Sequence, residues 1–168
     1  MQPTNEQQVL LIEDDEPKLR SVVNFLLETI PDINLVTAAS LTSAIRVLSN
    51  HPITLAIIDM SLPTYDVAKD RDGGGQPQGF GGVDILKFIA TESPSTFSVV
   101  LTQYEEFTAE PHGERKDLPA LRSELHKKFG TQFLGVIYYS GQLGEWRDDL
   151  LIAMTKAGIR TRHENTNS

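Results

Sequence analysis

Two short apolar runs, each ending in carboxylates, constrain this chain more than any other feature. Val9-Leu10-Leu11-Ile12 runs into Glu13, Asp14 and Asp15. Leu55-Ala56-Ile57-Ile58 runs into Asp59, followed by Met60-Ser61-Leu62-Pro63. Short Leu/Ile/Val runs bounded by polar residues read as strands buried on both faces. If the two strands are parallel neighbours, their carboxyl ends meet where ligands of open α/β sheets bind. Glu13, Asp14 and Asp59 would then converge. Three clustered carboxylates repel one another unless a cation joins them, and hard oxygen ligands at a partly open site suit Mg²⁺. A carboxylate beside such an ion is a candidate acceptor for a phosphoryl group.

The rest of the chain alternates in period. Leu19, Val22, Val23, Leu26, Leu27 and Ile30 recur at helical spacing, with Pro17 tolerated in the first turn. Ile33 to Thr37 reads as a second strand, and Ser40 as the cap of a helix with Ala44, Ile45 and Leu48 inward. A glycine-rich, polar loop runs from Thr64 to about Gly82. Helical spacing resumes at Val83, Ile85, Leu86 and Ile89. Phe97 to Thr102 is a fourth strand, followed by a long polar connection. Leu118, Leu121, Leu125 and Phe129 mark a helix ended by Gly130, and Phe133 to Tyr139 a fifth strand. Trp146, Leu150, Leu151 and Met154 mark a last helix. Five strands alternating with five helices imply right-handed crossovers and a parallel sheet covered on both faces. The flavodoxin-like doubly wound order 2-1-3-4-5 fits, and it makes strands one and three neighbours.

Bulk properties narrow the function. The 168 residues suit a single domain, with a core over about 7–157 and a polar tail over 160–168. A net charge of -8 with no basic stripe argues against direct nucleic-acid binding. With no cysteine, disulfides and thiolate metal sites are excluded. The polar start Met1-Gln2-Pro3-Thr4-Asn5 lacks the pattern of a secretory signal, and no apolar stretch approaches a membrane span. A soluble cytoplasmic protein is the expectation. His51, His112, His126 and His163 form no metal-ligand spacing, and Gly73-Gly74-Gly75 lacks the ending of a phosphate loop.

Leu10-Leu11-Ile12-Glu13-Asp14-Asp15-Glu16-Pro17, Ile57-Ile58-Asp59-Met60-Ser61-Leu62-Pro63 and Val99-Val100-Leu101-Thr102 occur in that order, each at a strand end. In this the chain resembles the receiver domain of bacterial response regulators over roughly residues 7–157, and Gly82 with Val83-Asp84-Ile85-Leu86 looks like that family's third-helix start. The resemblance implies roles. Asp59 would accept a phosphoryl group from a histidine kinase or phosphotransfer protein. Asp14 would ligate Mg²⁺ directly, Glu13 through metal-bound water, and Ser61 through its backbone carbonyl. Thr102 would be the hydroxyl that turns to the phosphoryl oxygen, and the side chains of Ser61 and Tyr104 would tune hydrolysis of the acyl phosphate.

Two departures stand out. The family's lysine at the end of strand five is missing: no lysine lies between Lys128 and Lys156, and Tyr139 takes its place. Val136 stands at the aromatic switch position. Two connections are also long for the family, and Lys69 or Arg71 in the first of them is a candidate source of the missing charge. The leading expectation is a stand-alone receiver acting as a phosphorelay or signalling switch through an unidentified downstream protein, with homodimerisation open. At most it would be an autocatalytic phosphoacceptor with slow self-dephosphorylation. The alternative is a pseudo-receiver, an interaction module not driven by phosphate. A phosphatase of the haloacid-dehalogenase type would place an aspartate where Ser61 stands, which ranks that reading low.

Overall fold

A computed structural model describes residues 7–65, 81–104, 106–108, 115–142 and 144–162. The strands are β1 (Gln7–Ile12), β2 (Ile33–Ala38), β3 (Leu55–Ile58), β4 (Phe97–Thr102), β5 (Glu106–Thr108), β6 (Arg115–Asp117) and β7 (Phe133–Tyr138). The helices are α1 (Glu16–Thr29), α2 (Leu41–Asn50), α3 (Gly81–Glu92), α4 (Leu118–Phe129) and α5 (Glu145–Lys156). Five strands form one parallel sheet in the order β2-β1-β3-β4-β7, the expected 2-1-3-4-5 with β7 as fifth strand. The polar connection after β4 differs from expectation. It contributes an antiparallel pair, β5 with β6, whose three-residue strands carry no apolar run to announce them.

The sheet is buried on both faces. Leu10, Ile12, Ala56, Ile58, Val100 and Val136 face one core with residues of α2, α3 and α4. Val9, Leu11, Leu55, Ile57, Val99, Leu101 and Ile137 face the other, against α1 and α5. This strict alternation is the two-fold period of a strand, and it fixes register, because a one-residue slip would exchange the two cores. Trp146 is a core residue of the α1/α5 face, as its helical spacing suggested.

Local signals set the helix ends nearest the strand tips. Asp15 caps α1 by accepting the Lys18 backbone N–H at 3.0 Å, and Pro17 sits in the first turn, where no N–H is needed. Ser40 and Ser43 form a reciprocal capping box at α2. At the start of α3, a Cβ on Gly82 would lie 2.7 Å from the Asp59 carbonyl oxygen and 2.8 Å from Met60 Cα. Only glycine lets this helix approach the segment after β3 so closely.

Ile159 and Thr161 pack inward where the polar tail was expected to begin. The Gln7 side chain bonds both the N–H and the carbonyl of Arg160. Lys69, Arg71, most of the glycine-rich loop, His112 and His163 lie outside the described residues. Among the described residues, no helix is long and apolar enough to cross a membrane.

Candidate functional site

The register of the two central strands brings the acids together. Ile12 pairs with Ile58, so the residues that follow, Glu13 and Asp59, leave the sheet side by side. The ladder continues past both strands: the Asp59 N–H donates to the Ile12 carbonyl at 3.0 Å and the Glu13 N–H to the Ala38 carbonyl at 2.9 Å. One carboxylate oxygen each from Glu13, Asp14 and Asp59 lies within 4.8 Å of the others. Glu13 and Asp59 are buried, at 2% and 5% exposure, while Asp14 sits on the open rim.

A fourth residue completes the cluster, and it was not among the expected site residues. Lys18, in the first turn of α1, is only 2% exposed. Its Nζ contacts Glu13 Oε2, lies 3.3 Å from Asp59 Oδ1 and donates to the Leu101 carbonyl at 2.7 Å. The three N–H donors of an ammonium thus meet three acceptors. The same nitrogen sits 5.7 Å from the centroid of the Tyr139 ring, within cation–π range. A lysine this buried is rare unless paired. The signal was present in the sequence: helix first turns favour acids, and the third position favours Glu or Gln, so a lysine there runs against local preference.

The electrostatics follow from burial. Burial pushes the Glu13 carboxyl up to about 7, with the Lys18 charge opposing and the Asp59 charge adding to the rise. Burial likewise raises Asp59, against the attraction of Lys18 and a hydrogen bond from the Ser61 backbone. Asp14 is also raised, first by burial and further by repulsion from Asp15. Three carboxylates face one ammonium, so with all of them ionised a charge of two remains uncompensated. That surplus, on hard oxygens at a rim open to solvent, fits a divalent cation such as Mg²⁺.

The other expected residues lie at or after the ends of β4 and β7, with Val136 inside β7. Thr102 is fully buried at the end of β4, and its hydroxyl accepts the Tyr104 N–H at 3.2 Å. Tyr139 follows β7, and its N–H donates to the Thr102 carbonyl at 2.7 Å. The Tyr139 ring packs on Trp146, with centroids 5.1 Å apart. Tyr104 is exposed. Val136 is buried in the opposite core, among apolar residues.

The fold is shared with known structures. A crystal structure of a CheY-like response regulator receiver domain protein from Methanospirillum hungatei JF-1 superposes with a TM-score of 0.58 at 19% identity, covering 92% of this chain and 95% of that one. The signal receiver domain of an HD domain-containing protein from Pseudomonas fluorescens Pf-5 gives 0.60 at 20% identity, covering 97% and 100%. The chain has the receiver fold. In sequence it is similar to the Detocs response regulatory protein DtcB of Enterobacter cloacae (strain JD6301), 23% identical over 149 residues, 88% of this chain and 98% of DtcB. An uncharacterized protein, y4jR, of Sinorhizobium fredii (strain NBRC 101917 / NGR234) is 24% identical over 138 residues, 82% of this chain and 90% of that protein. No family model matches the chain.

Proposed function

We propose that this chain is a signalling receiver that accepts a phosphoryl group on Asp59 and acts through a partner protein. One observation carries the reading: Glu13, Asp14 and Asp59 converge at the switch point of the sheet, with a buried ammonium bonded to Asp59. In the reaction, an Asp59 oxygen forms a bond to phosphorus while the P–N bond of a phosphohistidine on a kinase or phosphotransfer protein breaks. The imidazole nitrogen keeps the electron pair. Two anions must meet for this, so neutralisation and in-line placement are what the site has to supply.

The chain's own groups contribute separately. Glu13, Asp14 and Asp59, with the Ser61 carbonyl, would hold Mg²⁺, which when bound lowers the repulsion between the two anions. A hydrogen bond from the Ser61 backbone favours the ionised Asp59 carboxylate. Thr102, at the end of the neighbouring strand, would turn its hydroxyl from the Tyr104 N–H toward the added group, which brings about -1.5 to -2 charge. That exchange frees the segment after β4, and the change in its shape is what a partner would read.

The test is intact mass after incubation with Mg²⁺ and acetyl phosphate. The expected result is a gain of one phosphoryl group, absent in Asp59→Asn. A wild-type protein that stays unmodified, and also fails to take a phosphoryl group from a phosphohistidine donor, would instead support an interaction module indifferent to phosphate.

A further inference from the structure

We infer that Lys18 carries the cationic contact to the transferred phosphoryl group, reaching Asp59 from the first turn of α1 rather than from the end of the fifth strand. This rests on the phosphoacceptor reading above. Four observations converge on it. The Lys18 Nζ is already 3.3 Å from Asp59 Oδ1, so oxygens of a phosphoryl group attached to that carboxylate would lie within its reach. Its bond to the Leu101 carbonyl, at 2.7 Å, ties the nitrogen to the strand ends while the contact to Asp59 is exchanged for one to phosphoryl oxygen. At 2% exposure the charge acts with little screening by water. And Tyr139, just after the fifth strand where the resemblance implies a lysine, offers its ring face to the Lys18 nitrogen at 5.7 Å.

The position itself supports a role beyond packing. A lysine in the first turn opposes the helix dipole, and burying an ammonium carries a desolvation penalty that an apolar residue avoids. Residues that break local rules in this way concentrate at functional sites. The step is simple to balance. Asp59 oxygen bonds phosphorus, the donor's bond to phosphorus breaks, and the leaving group keeps its electron pair: an imidazole takes a proton from solvent, whereas acetate departs as the anion. Lys18 donates hydrogen bonds throughout and gives up no proton.

Lys18→Met and the double variant Lys18→Met/Tyr139→Lys test this, the second returning an ammonium to the same spot from the fifth strand. Rates of phosphoryl incorporation from acetyl phosphate with Mg²⁺ are read by intact mass. Beryllofluoride affinity is read by fluorescence of Trp146, the sole tryptophan, which packs on Tyr139. For Lys18→Met we expect a fall of about 10²-fold in rate, the scale of losing one preorganised donor to a developing oxyanion. Beryllofluoride binding should weaken while Mg²⁺ still binds, and the double variant should regain at least about tenfold in rate. Wild-type rate and beryllofluoride affinity in Lys18→Met would overturn the proposal while leaving Asp59 as acceptor. A folded double variant no faster than the single one would also overturn it. A wild-type protein that takes no phosphoryl group fails the broader reading instead. Should Lys18→Met not melt cooperatively, the ammonium resonance of Lys18 in ¹⁵N-lysine protein, assigned by its loss in Lys18→Arg, decides the matter. It should shift when beryllofluoride binds, and an unmoved resonance refutes the contact.

Discussion

Lys18 and Asp59, on different elements and 41 residues apart, share a buried hydrogen bond of 3.3 Å. The pair joins the first turn of α1 to the tip of β3. It offsets part of the negative charge that Glu13, Asp14 and Asp59 bring to the site.

Breaking the pair from the cationic side leaves two buried carboxylates facing each other. In EDTA, Lys18→Met should lose about 3 kcal/mol of stability, the scale of uncoupling a buried ion pair. Urea denaturation measures this, and saturating Mg²⁺ should restore part of the loss by joining the same oxygens. A loss that Mg²⁺ leaves untouched would mean that the acids and the ion do not meet.

Breaking it from the anionic side has the opposite sign. Asp59→Asn removes a desolvated charge while the Lys18 contact with Glu13 remains. Its Tm in EDTA should match or exceed wild type, with a gain of up to about 2–4 °C for each ~1 kcal/mol. The same substitution should weaken the response to Mg²⁺. For the wild type, Mg²⁺ at about 100 times its Kd adds about 2.7 kcal/mol.

Glu13 predicts a pH dependence for the metal-free protein. Its carboxyl is held at about 7 in the fold against an ordinary value of 4.5. A raised pKa means that the folded state keeps a proton the unfolded chain has lost. The stabilisation is therefore complete below about 4.5 and lost as pH rises through about 7. Melts in EDTA should show stability falling over that window, by at most about 1.4 kcal/mol per pH unit from this group. Glu13→Gln should flatten the slope, and an unchanged slope would assign the dependence elsewhere.

Gly82 tests the packing that holds the segment after Asp59. An alanine Cβ there would meet backbone atoms at 2.7 and 2.8 Å, which flexible side chains cannot relieve. Gly82→Ala should cost about 1–3 kcal/mol and also slow phosphoryl incorporation, because the displaced atoms belong to Asp59 and Met60. Thermal melts and intact mass read the two effects separately.

The meeting of Glu13, Asp14 and Asp59 was legible because it needs only two buried strands and their adjacency. Apolar runs mark the strands, and the alternation of periods marks the winding. Ser40 as a cap and Gly130 as a helix stop were legible for similar local reasons. Lys18 was not, although it lies only four residues beyond Asp14. Its role depends on α1 lying over the strand tips and on a carbonyl 83 residues away at Leu101, neither of which spacing reveals. Lys69 and Arg71 stand out in the sequence as candidate charges because their connection follows Asp59, and they lie outside the described residues. The β5–β6 pair escaped for a plainer reason: it is too short and polar to leave a period.

A crystal structure with Mg²⁺ and beryllofluoride would show the loaded site itself. Beryllofluoride should sit on the Asp59 carboxylate, with the metal among Glu13, Asp14 and Asp59 and the Lys18 nitrogen in hydrogen-bond contact with a fluorine. Beryllofluoride on Asp59 with the Lys18 side chain turned away, or no beryllofluoride at Asp59 at all, would contradict these roles of Lys18 and Asp59.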